Sequence, residues 1–147
     1  MKTLLLVHGP NLNMLGPRDQ GHYGTITLPQ LEAFVRKAGL ELGLAVIPFQ
    51  SNHEGTLIDW IQDFTPRANG IIINAGALTH YSYALHDALL DTKLPCIEVH
   101  LSDISRREQW RRYSVLASAC RAQIMGKKEQ GYVDALHLML QYFTKKV

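Results

Sequence analysis

Five short runs of this chain, Thr3–Val7, Leu44–Phe49, Gly70–Asn74, Cys96–His100 and Ala119–Met125, are almost continuously apolar. A strand with one wet face alternates apolar and polar residues, whereas a strand covered on both faces does not. These runs therefore predict parallel strands buried inside a layer of helices. The segments between them carry the helical period instead. Thr27-Leu-Pro-Gln30 reads as a capping box with Pro29 in the first turn, followed by Leu31, Phe34, Val35, Ala38 and Leu42 on one face and a stop at Gly43. Further helices are expected at Thr56–Phe64, Ser82–Asp91, Arg106–Tyr113 and Gln130–Lys145, the last with Tyr132, Ala135, Leu136, Met139, Leu140 and Phe143 as its buried stripe.

Strand-helix alternation repeated five times predicts an α/β fold, a doubly wound five-stranded parallel sheet of the flavodoxin-like order 2-1-3-4-5. With 147 residues, 46% hydrophobic and 19% charged, and with no repeat, low-complexity stretch or linker, residues 1–147 are expected to form one domain. Fifteen Lys and Arg against 13 Asp and Glu leave a net charge of only +2, which gives no reason to expect a nucleic-acid partner. Cys96 and Cys120 form no CxxC pair and sit in apolar surroundings, as reduced thiols of a cytoplasmic protein do. The N-terminal run Leu4–Val7 is far shorter than a membrane span or a signal core.

In such a sheet ligands bind beyond the carboxyl ends of the strands. The loops at that end are His8-Gly-Pro-Asn-Leu-Asn13 with Arg18 and Tyr23 beyond it, Gln50-Ser-Asn-His-Glu54, Asn74-Ala-Gly-Ala-Leu-Thr-His80 and His100-Leu-Ser-Asp103. All carry hydrogen-bonding side chains, while the loops at the other end are plain turns. No GxGxxG follows the first strand, and Pro10 removes an N–H where a flavin or dinucleotide loop needs donors. Asparagines occupy the places where a phospho-receiver needs carboxylates. His53, His80 and His100 lack metal-ligand spacing, so no metal site is expected. Amides, hydroxyls, imidazoles and a guanidinium suit a small, hydroxyl-rich, anionic metabolite worked on by proton transfer. The segment Leu15–Gly24, with Gly16, Pro17, Gly21 and Gly24, is long enough to be a lid carrying Arg18 and Tyr23. Spacing alone leaves open, and slightly favours, an exposed loop cation and a ring packed on the surface.

Gly9-Pro-Asn-Leu-Asn13, Leu15-Gly16, Arg18, Tyr23-Gly24, Gln50-Ser-Asn-His-Glu-Gly55, Asn74-x-Gly76, Thr79-His80, Ala88-Leu89, Glu98-Val-His-Leu-Ser102 and Gly131-Tyr132 run through the whole chain. In these blocks the sequence resembles the type II 3-dehydroquinate dehydratases. The resemblance implies a flavodoxin-like, cofactor-free enzyme that removes water from 3-dehydroquinate through an enolate to give 3-dehydroshikimate. By position, it makes Tyr23 the base, Arg18 the cation that holds the phenolate, and Asn13, beside Asn11, the residue that places a water on the enolate. His100 becomes the acid for the departing hydroxyl. Glu98 shares a strand face with His100 and is expected to hold its imidazole. Asn74, His80 and Arg111 become substrate anchors, with the backbone of Leu101 and Ser102. Asp87 matches a residue that reaches a neighbouring subunit's site, in line with the family's trimers assembled into dodecamers. The cation matters because a free phenol is ionised in only about one molecule in a thousand at neutral pH.

Without the resemblance His80 reads as a solvent-facing residue at a helix start, and Arg111 as part of a basic face with Arg106, Arg107 and Arg112. The sequence also departs from the family. Asp103 and Ser105 stand where Asn and His are usual, Arg112-Tyr113 replaces a common His-His pair, and Gly126-Lys-Lys-Glu-Gln-Gly131 is poorer in glycine than usual. Two other readings fit the fold, a binding protein that has lost catalysis and an enzyme acting on a related cyclic hydroxy acid. An acid and a base together argue against the first. Whether the role is aromatic biosynthesis or quinate breakdown stays open, since both use one chemistry.

Overall fold

A computed structural model describes residues 1–145. Strands β1 (Lys2–His8), β2 (Leu44–Gln50), β3 (Gly70–Asn74), β4 (Cys96–His100) and β5 (Ala122–Met125) form one parallel sheet in the order β2-β1-β3-β4-β5, the expected flavodoxin-like order. Helices α1 (Gln20–Tyr23), α2 (Leu28–Glu41), α3 (Glu54–Phe64), α4 (Tyr83–Thr92) and α5 (Gln130–Thr144) connect or follow them. Alternate strand residues divide into two cores. Leu4, Leu6, Ile72, Ile97 and Val99 pack with α2 and α5 on one face, and Leu5, Val7, Ile71, Ile73 and Cys96 pack with α3 and α4 on the other. Both sides are therefore dry, which is why the strands read as unbroken apolar runs. Among the described residues no helix is long and apolar enough to cross a membrane.

Helix α2 begins at the predicted capping box, with the Gln30 amide donating to Thr27 Oγ1 at 3.3 Å and the Thr27 amide donating to Gln30 Oε1 at 3.0 Å. Its buried side, however, runs through Gly39, where an added Cβ would lie 2.8 Å from Val46 Cγ2, while Phe34 is exposed. The glycine lets the helix press onto β2.

Two expectations fail. No helix forms over Arg106–Tyr113; the β4–β5 connection instead contains short 3₁₀ turns at Ile104–Arg106, Gln109–Arg111 and Ala117–Ala119. The only large apolar residue near the middle of that stretch, Trp110, is 52% exposed. A segment with no apolar stripe has nothing to bury, and packing rather than propensity sustains most short helices. Likewise β5 starts at Ala122 rather than Ala119: residues Ala117–Ala119 close a 3₁₀ turn instead, and the first ladder partner of the strand is Ile97. The two cysteines, distant in sequence, meet here with Cys120 Sγ 3.5 Å from Cys96 Sγ.

His8, at the carboxyl end of β1, is fully buried and neither ring nitrogen has a hydrogen-bond partner. Glu32 Oε1 stands 3.5 Å from Nε2, at the outer limit of contact. Burial pushes the His8 pKa down to about 4 from the ordinary 6.5. The unfolded chain therefore takes up a proton in the interval between those values that the folded chain refuses, and stability falls as pH drops through it, by about 3 kcal/mol at most. Urea unfolding at pH 7 and pH 4.5 is expected to show His8→Leu losing less stability on acidification than the parent. Equal losses would assign the acid sensitivity to other groups.

Candidate active site

The carboxyl ends of β1, β3 and β4 and the loops beyond them enclose a narrow cleft. Its walls include Arg18, Tyr23, Asn74, His80, His100, Leu101, Ser102 and Arg111. Eight of the eleven candidate residues are thus brought together by the three connections that follow β1, β3 and β4. The other three lie elsewhere. Glu98 is one layer behind His100, Asn13 is exposed with its Oδ1 3.5 Å from Gln50 Nε2, and Asp87 stands on the exposed face of α4, 2.9 Å from His86.

His100 ends β4 with its Nε2 bonded to a Glu98 carboxylate oxygen. That carboxylate also accepts from Ser114 Oγ at 2.8 Å and Gln123 Nε2 at 3.2 Å, and is completely buried. Burial by itself would raise the Glu98 pKa, but the bond from His100, its charge, and the bonds from Ser114 and Gln123 outweigh that effect and hold it below the ordinary value. Glu98 is therefore a carboxylate at neutral pH. With Nε2 committed to it, the Nδ1 side of the His100 ring is left to exchange a proton.

The segment Leu15–Gly24 forms one wall. Asp19 caps the short helix α1 by accepting from the Gly21 amide at 3.1 Å, and α1 delivers Tyr23 to the cleft. Arg18 lies over the face of the ring, its guanidinium carbon 4.3 Å from the centroid. The hydroxyl is bonded by another residue: Arg107 Nη1 donates to Tyr23 Oη at 2.6 Å. The Arg107 side chain is only 9% exposed. It was grouped in the sequence with a solvated basic face, and nothing in its spacing separates it from Arg106 or Arg112. What betrays it is the missing apolar stripe: without a helix over Arg106–Tyr113, adjacent arginines are free to point different ways.

His80 donates from Nδ1 to the Tyr113 carbonyl at 2.7 Å and packs edge-on against Trp110. Burial lowers its pKa, aided by the nearby charges of His100 and Arg111 and opposed by the bond to Tyr113 and by Glu98. A neutral ring that donates from Nδ1 offers Nε2 as an acceptor. Arg111 is held at the rim by Glu108, with Nε 2.5 Å from Oε2, and stacks over Trp110 at 4.0 Å. Asn74 is buried, its Oδ1 accepting from the Gly76 amide at 3.1 Å. At the unusual positions after β4, Asp103 caps the turn that follows, accepting from the Ser105 amide at 3.0 Å.

Comparisons with known proteins agree with this geometry. The model of the family described as dehydroquinase class II matches residues 2–140. The 3-dehydroquinate dehydratase of Rhizobium johnstonii is 47% identical over 138 residues, covering 94% of this chain and 95% of that one. The enzyme of the same name from Bacillus cytotoxicus is 48% identical over 141 residues, 96% and 97% of the two chains. Among solved structures, the type II dehydroquinase of Butyrivibrio crossotus superposes with a TM-score of 0.92 at 39% identity, over 95% of this chain and 97% of that one. With the fold, the cleft and the full-length match in agreement, this chain belongs to the class II dehydroquinase family.

Proposed function

We infer that this chain is a 3-dehydroquinate dehydratase, converting 3-dehydroquinate to 3-dehydroshikimate, and that residues 1–147 form one catalytic domain. The observation that carries this reading is a phenol and an imidazole in one cleft, each held by an opposite partner: Arg107 on Tyr23 Oη and Glu98 on His100 Nε2. Tyr23, as phenolate, takes the proton next to the substrate carbonyl. The electron pair moves into an enolate. It then returns to form the carbon–carbon double bond as the hydroxyl departs with a proton from His100, leaving as water. Arg107 and Arg18 stabilise negative charge on the phenol oxygen and ring before the transfer. Glu98 stabilises the imidazolium that donates the proton. Every group this sequence needs is a side chain, so the reading invokes no metal or cofactor.

Asn74, His80, Arg111 and the backbone of Leu101 and Ser102 are the proposed substrate anchors. The neutral His80 Nε2 accepts from a substrate hydroxyl, and Arg111 faces the carboxylate. Asn13 is proposed to act through a water, its own side chain being turned toward Gln50. For Asp87 the proposed role lies between subunits: Tyr83, Asp87 and Leu90 share an exposed face of α4, and Tyr113 lines the same hollow as Tyr83. An apolar face with a charge in it suits a subunit contact, in keeping with a homo-oligomer such as a dodecamer built from trimers. Activity in the cytoplasm, within the shikimate pathway or quinate breakdown, completes the reading.

Purified protein treated with chelator and given 3-dehydroquinate is expected to raise ultraviolet absorbance as the conjugated enone forms. No absorbance change would sink the assignment and leave a non-catalytic binder or a different cyclic hydroxy acid. Tyr23→Phe keeps the ring and removes the proton acceptor, so kcat should fall about a thousandfold or more with KM nearly unchanged; a near-parental rate would remove Tyr23 as base. Arg107→Met deletes one preorganised donor, and a loss of about a hundredfold in kcat is expected. A loss confined to KM would instead make Arg107 a binding group. Asn74→Ala should raise KM, and unchanged affinity would take Asn74 out of the pocket.

A further inference from the structure

Lys128 lies outside the cleft, in the turn between β5 and α5, yet its ammonium donates to two carbonyls of the opposite loop. Nζ is 2.7 Å from His22 O and 3.2 Å from Gly21 O. Both carbonyls belong to α1, immediately before Tyr23. The backbone of the same turn is bonded to the other half of the site: the Lys128 amide donates to Leu101 O at 3.2 Å, and the Gly126 amide to Ser102 O at 3.1 Å and His100 O at 3.3 Å. One residue therefore spans from the strand end that carries His100 to the loop that carries Tyr23. We propose that Lys128 is a positioning residue that tethers the Leu15–Gly24 loop over the cleft and so sets where Tyr23 stands relative to His100.

Three features support the tether. Pro17, Asp19, Gln20, Gly21 and His22 are all exposed, so little burial holds the loop down. Besides Arg107 on the Tyr23 hydroxyl, Lys128 is the cation bonded to it from the body of the fold among the described residues. Charge-assisted bonds to carbonyls are the stronger kind, and they act here where apolar contact is scarce. Finally, Lys128 has φ +52°, in the left-handed region that disfavours a side chain with a Cβ. A glycine there would relieve the backbone but bring no ammonium. Its neighbour Lys127 points away, to Asp134 at 2.9 Å.

The proposal rests on the dehydratase reading for its kinetic consequence, but its structural part is read without substrate. Hydrogen exchange of the Gln20–Gly24 amides, followed by mass spectrometry, is compared in the parent, Lys128→Gly, Lys128→Arg and Lys127→Met. Lys128→Gly is expected to unfold at the same temperature as the parent or higher, to exchange those amides about tenfold faster, and to lose about tenfold in kcat/KM. Its pH profile should keep its midpoints, because no titrating catalytic group is removed. Lys128→Arg restores the donors and should stay within about twofold of the parent in both readouts, as should Lys127→Met. Unchanged exchange in Lys128→Gly, faster exchange with unchanged kcat/KM, or equal effects in Lys128→Arg would each overturn the tether. A parent inactive on 3-dehydroquinate would overturn the dehydratase reading, while the exchange rates would still decide whether Lys128 holds the loop.

Discussion

A carboxylate in the middle of a buried strand is the constraint around which this site is organised. Glu98 has no access to water, so an unpartnered charge there would cost several kcal/mol. Its partners come from three parts of the chain. Gln123 is its neighbour across the β4–β5 ladder, Ser114 belongs to the irregular connection between those strands, and His100 is two residues along its own strand. Satisfying one charge thus fixes the edge strand, anchors the long connection and orients the imidazole at the cleft floor. Substituting Glu98 by an apolar residue would release all three together.

The same connection shows how far the sequence could be read. Where packing dictates structure, as in β1 to β4 and α2, apolar pattern and caps locate the elements, because a strand dry on both faces and a helix with one dry stripe leave different periods. Between the buried Ile104 and the buried Val115 packing dictates little. The local sequence Arg106-Arg107-Glu108-Gln109-Trp110-Arg111 has acceptable helix propensity but nothing to bury, so its shape follows from polar bonds made at long range. Arg107 Nη1 reaches a phenol 84 residues away in the sequence, and no local pattern carries that information. Gly39 is illegible for a related reason: its value lies in the Val46 side chain pressed against it, which belongs to another element.

For the site residues, the loops at the carboxyl end of the sheet could be singled out from composition, but the roles within them could not. His80 and Arg111 each had an ordinary surface reading. The structure places both on the cleft wall because Trp110, exposed and unsuited to a core, lies between them and packs against each. Asn13 illustrates the converse. Its block is among the most distinctive in the chain, yet the side chain turns to Gln50, whose amide also bonds Gly9 O at 3.2 Å and Asn52 Oδ1 at 3.1 Å. That cluster ties the loop after β1 to the loop after β2, so the asparagine shapes the wall even where it does not face the cleft.

The two halves of the chemistry are held with different stiffness. His100 is at the end of a central strand, bonded to a buried carboxylate, and its position is set by the fold itself. Tyr23 is on an exposed loop whose one-turn helix is too short to be stable alone. Within the loop Arg18 covers the ring, and two side chains reach across from the body of the fold, Arg107 to the hydroxyl and Lys128 to the preceding carbonyls. All three are cations, and two of them, Arg18 and Arg107, meet the Tyr23 side chain itself, the group that carries negative charge in the proposed mechanism. On the proposed mechanism, the cations that favour the base are therefore also the groups that hold its loop against the rest of the fold. An acid fixed by the fold and a base held by side-chain cations, as proposed for His100 and Tyr23, would let the exposed loop shift without disturbing Glu98 and its partners.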